Sequence, residues 1–230
     1  MPGDNFLVYD FRPLFLTVEG IGPFQEAPYE LDFTDANGEP CNFFLLLSMN
    51  GRGKTTLLEL MASLMGLIEQ REPETLGFED LDNGSGRAQW DIFVRLYREG
   101  QEECLVLSLA AGRDEPWTLR PWGETLLKNY GADHWCPFGY QRHVSGRLEP
   151  VGKGDERVQD LLAAIQAHRG EAPVVFEDDP LTLPTLLCFS AYRDIARVTE
   201  GDRGIIRRVA LSLVIPGGSR PPGTREMATT

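Results

Sequence analysis

One stretch limits what this chain can fold into more than any other: "FFLLLSMNGRGKTTLLELMASLMG", residues 43 to 66. An apolar run, a glycine-rich turn ending in Lys-Thr-Thr and a second apolar run follow one another without a break. The first run, "CNFFLLLS" at 41 to 48, has no alternation, which predicts a strand buried on both faces. After Lys54 the period becomes helical, with Leu57, Leu58, Leu60, Met61, Leu64, Met65 and Ile68 giving a face that is apolar over well more than half the circumference. This helix is expected to be buried.

Strand, glycine turn and helix form the context of a phosphate-binding loop, whose pattern is Gly-x4-Gly-Lys-Ser/Thr. The eight positions here are Ser48, Met49, Asn50, Gly51, Arg52, Gly53, Lys54 and Thr55, and all match but the first. The spacing has a chemical reason. Successive backbone N–H groups from Asn50 to Thr56 can surround phosphate oxygens only where side chains do not obstruct, hence Gly51 and Gly53, and the helix opening at Lys54 adds its positive end. Lys54 would reach the β- and γ-phosphates, the Thr55 hydroxyl would ligate Mg²⁺, and Thr56 would touch the α-phosphate. Asn50, Gly51, Arg52, Gly53, Lys54, Thr55 and Thr56 are therefore the candidate nucleotide-binding residues, with Thr55 the candidate metal ligand.

Upstream, "RPLFLTVE" at 12 to 19 and "PYELDF" at 28 to 33 read as strands, joined by a "GIGPF" turn. Asn37-Gly38 in "DANGEP" signals a hairpin that returns the chain into the apolar run. Downstream, 69 to 87 is acidic and rich in turn formers and reads as an exposed connection. "AQWDIFVRLYREG", "EECLVLSLAAG" and "EPWTLRPWG" read as a three-stranded meander over about 88–122, with Ile92, Val94 and Leu96 alternating against Phe93, Arg95 and Tyr97. Residues 123 to 153 carry no periodic signal. "GDERVQDLLAAIQAHRG" at 154 to 170 predicts a helix capped by Asp155 and stopped at Gly170, and "TLLCFSAYRD" predicts a strand entering a polar loop. Residues 215–230 have the composition of a disordered tail. The expected organisation is one lobe over 1–214 followed by that tail.

The phosphate-loop stretch "MNGRGKTTLLELMASLM" resembles the Asn-Gly-x-Gly-Lys-Ser/Thr-Ser/Thr-Leu-Leu-Glu-Ala-Ile form of the ABC-type ATPase heads of the SMC, Rad50 and RecF group and of related AAA-labelled ATPases of bacterial defence systems. "LFLTVEGIGPFQEAPYELDF" resembles that group's opening of strand, aromatic turn and strand. The resemblance covers about residues 13 to 68. It implies an α/β P-loop NTPase fold with an antiparallel N-terminal sheet and a β-meander subdomain, ATP and Mg²⁺ as ligands, adenine and ribose against the N-terminal strands, and two heads closing over the nucleotide as a homodimer or with a partner ATPase half. DNA repair and anti-phage defence are the settings it suggests.

The group also carries a Leu-Ser-Gly-Gly signature and a Walker B strand ending in Asp-Glu. Here "VVFEDDP" at 174 to 180 is the one stretch of Walker B character, with Asp178 as the carboxylate near Mg²⁺ and Glu177 or Asp179 as the base that activates water. A solvated acidic loop is the plain alternative. "SLVIPGGSR" at 212 to 220 separates Ser212 from Gly217 too widely for a signature, and "DNGSGRA" at 82 to 88 has Arg87 where lysine is needed and reads as a turn. Two accounts remain open: the N-terminal part of a longer ATPase that loses the family's character near Ile206, or a nucleotide-binding regulatory module that docks on a partner. A P-loop kinase or GTPase is a third reading, since many chemistries share the loop; against it stand the antiparallel opening strands, with which a kinase would not normally begin, and the absence of the Asn-Lys-x-Asp motif that a GTPase would want.

Charge and cysteines narrow the field. A net charge of −13 argues against a broadly basic face, so contact with DNA is expected through a partner rather than through this segment. The four cysteines form no CxxC pair and read as reduced thiols. His134, Cys136 and His143 match no zinc spacing. Arg193, in the polar loop "SAYRDIAR", is an interface or phosphate-sensing candidate, with a salt bridge to Asp194 as the alternative. The longest apolar runs are too short for a membrane span and no secretory signal is present, so the expected compartment is the cytoplasm.

Overall fold

The computed structural model describes residues 6–41, 44–47, 52–69, 73–113, 119–152, 154–169, 185–187 and 210–212. Its centre is a six-stranded open mixed sheet of order β2-β1-β3-β4-β5-β6. The long strand β1 (Phe6–Glu19) pairs antiparallel with β2 (Tyr29–Asp32) on one side and β3 (Arg87–Arg98) on the other. Strand β4 (Gln101–Arg113) returns beside β3 through a two-residue turn in which Glu99 and Gly100 both have positive φ, 51° and 86°, as a primed hairpin turn requires. The chain then crosses through α3 (Glu124–Asn129) to β5 (His134–Arg142), parallel to β4, and β6 (Leu148–Val151) closes the far edge antiparallel. A separate antiparallel ladder joins β7 (Thr185–Leu187) and β8 (Ala210–Ser212).

Strand alternation sorts the side chains into two clusters. Leu16, Val18, Trp90, Ile92, Val94, Leu107, Leu109, Phe138 and Tyr140 face the main core. Helices α1 (Lys54–Glu69), α2 (Glu79–Asp82) and α4 (Glu156–Arg169) contribute to that same core. On the opposite face Phe15, Phe93 and Val106 meet Trp122, Leu127 and Ala132. A bulge between Pro13 and Phe15 lets Leu14 join Phe15 in this second cluster.

Helix α1 lies across the sheet on Leu57, Leu60, Met61, Leu64, Leu67 and Ile68, all buried, while Leu58 is 37% exposed. The helix is buried on its apolar face as expected, and Leu58 marks a solvent side. Leu64 is fully buried, so Leu64→Ala is expected to cost about 3 kcal/mol, read as a lower urea midpoint with unchanged slope.

Three expectations change. In the run expected to form a buried strand, the described residues 41 and 44–47 belong to no strand, and Leu45 and Leu47 are 68% and 81% exposed. A run without period cannot say which side faces a core, and among the described residues neither edge strand of the sheet pairs with it. Phe44 turns inward, edge-on to Phe33 at 4.7 Å, and Leu46 is half-buried. The meander is not a subdomain, because β3 and β4 are inner strands of the same sheet as β1, and residues 119–123 carry no strand. The acidic connection is anchored rather than simply exposed, with Leu76 and Leu81 buried and Asp82 Oδ1 accepting from the Leu76 N–H at 2.7 Å. The tail at 215–230 lies outside the described residues.

Candidate functional site

The glycine-turn and helix junction is held by the turn that precedes β2. Gly20 N donates to the Phe24 carbonyl at 2.7 Å and Phe24 N to the Ile21 carbonyl at 2.8 Å, which folds Gly20 to Phe24 into a tight reversal. Asp80 of α2 braces it, its Oδ2 accepting from Gly22 N at 2.9 Å. Phe24 then stacks on Tyr29 with ring centroids 4.7 Å apart and planes inclined by 26°. The turn from Pro23 to Tyr29 encloses a shallow concavity of about 380 Å³.

Gly53 packs directly beneath this aromatic turn. Its φ is +86°, and a Cβ placed there would stand 2.7 Å from both Phe24 Cζ and Pro23 Cγ. Only glycine satisfies both conditions. The Gly53 carbonyl accepts the first helical bond, from Leu57 N at 2.9 Å, so α1 begins at Lys54 as the pattern predicts. The first-turn N–H groups of Lys54, Thr55 and Thr56 precede the helix's own ladder, and no carboxylate occupies that first turn. A helix start of this kind favours a bound anion. Thr56 rests against Gly22, where a Cβ would lie 3.2 Å from Thr56 Cγ2.

Arg52 and Thr55 are exposed at the surface, and Gly53, Lys54 and Thr56 are half-buried. The junction thus brings together Arg52, Gly53, Lys54, Thr55 and Thr56. Asn50 and Gly51 lie outside the described residues, as do Glu177, Asp178, Asp179 and Arg193. Among the described residues no group of His, Cys, Asp and Glu could hold a metal ion. His134 Nε2 accepts from the Arg157 guanidinium at 3.0 Å, His143 Nδ1 meets Ser145 Oγ at 2.9 Å, and Cys136 is buried, which pushes its thiol up to about 12. Those three residues are engaged structurally.

Sequence reasoning missed a second polar cluster. Gln89, Asp91 and Ser108 have no exposure and sit on the sheet's second face below Arg120. The signal was present as the i, i+2 spacing of Gln89, Asp91 and Phe93, which places two polar side chains on the face of a buried aromatic.

Comparison of the chain with family models, curated proteins and solved structures gives no match.

Proposed function

We propose that this chain is the ATP-binding lobe of an SMC/Rad50-like ABC-type ATPase, with Mg-ATP held by residues 50 to 56. The observation that carries the reading is the junction at Gly53: a positive-φ glycine under an aromatic turn, followed at once by Lys54, Thr55 and Thr56 opening a 16-residue helix braced on the sheet. The backbone N–H groups and Lys54 would neutralise the phosphates, and the Thr55 hydroxyl would meet Mg²⁺. The P-loop NTPase fold belongs to the same proposal. Glu177 and Asp178 are the carboxylates assigned to hydrolysis in it.

The exposure of Leu45 and Leu47 just before the loop favours a second reading, a regulatory nucleotide-binding module whose cradle is completed by docking on a partner. Among the described residues no helix is long and apolar enough to cross a membrane, and the proposed partners are a second copy or a partner ATPase half.

An equilibrium titration with Mg-ATP, Mg-GTP and metal-free ATP tests the assignment, run beside Lys54→Ala. Preferential Mg-ATP binding that falls on the order of 100-fold in the variant, with unchanged thermal melting, is the expected result. Equal affinity of the two proteins would sink the phosphate-loop assignment. Binding without turnover, together with a concentration-dependent dimer, would select the regulatory reading.

A further inference from the structure

The second face of the sheet carries a polar patch inside an apolar cluster. Thr17, Gln89, Asp91 and Ser108 are each no more than 3% exposed, and the register sets Thr17 opposite Gln89 and Asp91 opposite Ser108. Residues 119–122 pass over them. Gln89 grips the backbone of residue 120 as a neighbouring strand would: its Nε2 donates to the Arg120 carbonyl at 2.8 Å, and its Oε1 accepts from Arg120 N at 3.4 Å. The Arg120 guanidinium lies 3.3 Å above the Phe15 ring and 5.6 Å from that of Trp122, and it pairs with Glu30 of β2.

The weak point of this packing is one oxygen. Asp91 Oδ1 accepts from Gln89 Nε2 at 2.8 Å and from Ser108 Oγ at 2.5 Å, but Oδ2 has no hydrogen-bond donor, and Arg120 Nε stands 3.8 Å away. Arg120 Nε and Trp122 Nε1 are buried without a hydrogen bond of ordinary geometry, and both exert only a weak pull on Asp91. A carboxylate sealed from water with one bare oxygen is costly to keep charged. Lifting the overlying segment admits water to Oδ2 and removes that penalty for the ionised form only.

We propose that residues 119–122 are a proton-stabilised strap: a proton on Asp91 keeps the segment down on the sheet, and ionisation of Asp91 loosens it. Burial pushes the Asp91 carboxyl up to about 6, against the opposing pull of the Ser108, Gln89 and Trp122 side chains and the Arg120 charge. The groups that face it from the surrounding elements are few. Phe15 and Thr17 of β1, Ser108 of β4 and Trp135 of β5 are uncharged, with Trp135 Nε1 donating to Ser108 at 2.8 Å. Glu30 and Asp32 come from β2. Tyr130, after α3, has its phenol pushed up by burial and stays neutral. Arg12 and Arg95 lie one step along, 5.8 and 5.7 Å from the Phe93 ring centroid.

The sign follows from linkage. The closed strap binds the Asp91 proton more tightly than the open one, where the carboxyl returns to its ordinary range. Opening therefore rises with pH from about 4 to about 6 and levels off above. Between pH 5 and pH 7.5 the opening equilibrium should increase roughly tenfold.

Hydrogen exchange of the whole chain, followed on peptides spanning 119–123 at pH 5 and 7.5 and corrected for intrinsic rates, tests this, with the β3–β4 hairpin as internal reference. The expected result is a roughly tenfold loss of protection at the higher pH, confined to the strap, abolished in Asp91→Asn and retained in Glu30→Gln. Equal protection of the wild-type strap at both pH values would overturn the proposal, and that comparison needs no variant to fold. A response that survives Asp91→Asn, or one that disappears with Glu30→Gln instead, would overturn it as well.

Discussion

Replacing Gly139 with alanine is expected to destabilise the protein by about 4 kcal/mol or more, a large share of the stability of an ordinary domain. Gly139 in β5 lies directly opposite Ala110 in β4, and a Cβ there would fall 1.7 Å from the Ala110 carbonyl oxygen and 2.8 Å from its carbon. Both obstacles are backbone, so no side chain can swing aside. The two strands would have to part by more than an ångström at the one parallel joint of the sheet, between Phe138 and Tyr140, which are both buried in the main core. Gly146 provides the contrast, since it turns the β5–β6 hairpin with φ +82° but a methyl added there would have nothing within 4 Å. Gly146→Ala should therefore cost only about 1–2 kcal/mol, the conformational part alone. Urea melts of the two variants decide the point: equal small losses would mean that β4 and β5 do not pair in this register.

The parts of this fold that were legible in the sequence are those fixed by neighbours in the chain. Ile92, Val94 and Leu96 alternate because one side of β3 meets the main core. Asn37-Gly38 marks a turn that Asp35 closes, Oδ1 accepting from Asn37 N at 2.8 Å and Glu39 N at 2.9 Å. Asp155 caps α4 through Arg157 N at 2.9 Å. The start of α1 at Lys54 could be read because a glycine turn and a change of period coincide there.

What stayed hidden depends on partners distant in sequence. β5 shows little alternation in "HWCPFGYQR", because its burial is decided by parallel pairing with β4 across a helical crossover. The polar set Gln89, Asp91 and Ser108 looks like a solvated strand face until residues 119–132 are laid over it. "CNFFLLLS" misled in the opposite direction, since its leucines resemble a core strand but no described strand covers Leu45 or Leu47. Local pattern reports what a segment prefers, and the third layer decides what is buried.

If the proposed Mg-ATP site is right, Gly53→Ala is expected to weaken nucleotide binding more than Lys54→Ala does, on the order of 1000-fold, because it displaces together several of the groups assigned to the phosphates. The added methyl meets two independent objections. The backbone φ of +86° disfavours any L side chain by about 1–2 kcal/mol, and the Cβ would overlap Pro23 Cγ and the Phe24 ring at 2.7 Å. Phe24 cannot retreat freely, since it is stacked on Tyr29 and its backbone closes the Gly20–Phe24 reversal. The turn must move instead, and with it the first turn of α1 carrying Lys54, Thr55 and Thr56. Lys54→Ala removes a charge from an intact turn, whereas Gly53→Ala keeps the charge and spoils its position. Titrating both with Mg-ATP separates the two contributions, and a thermal melt checks that the sheet survives. If Gly53→Ala binds as the wild type does, the turn beneath Phe24 is not the cradle, whatever the lysine variant shows.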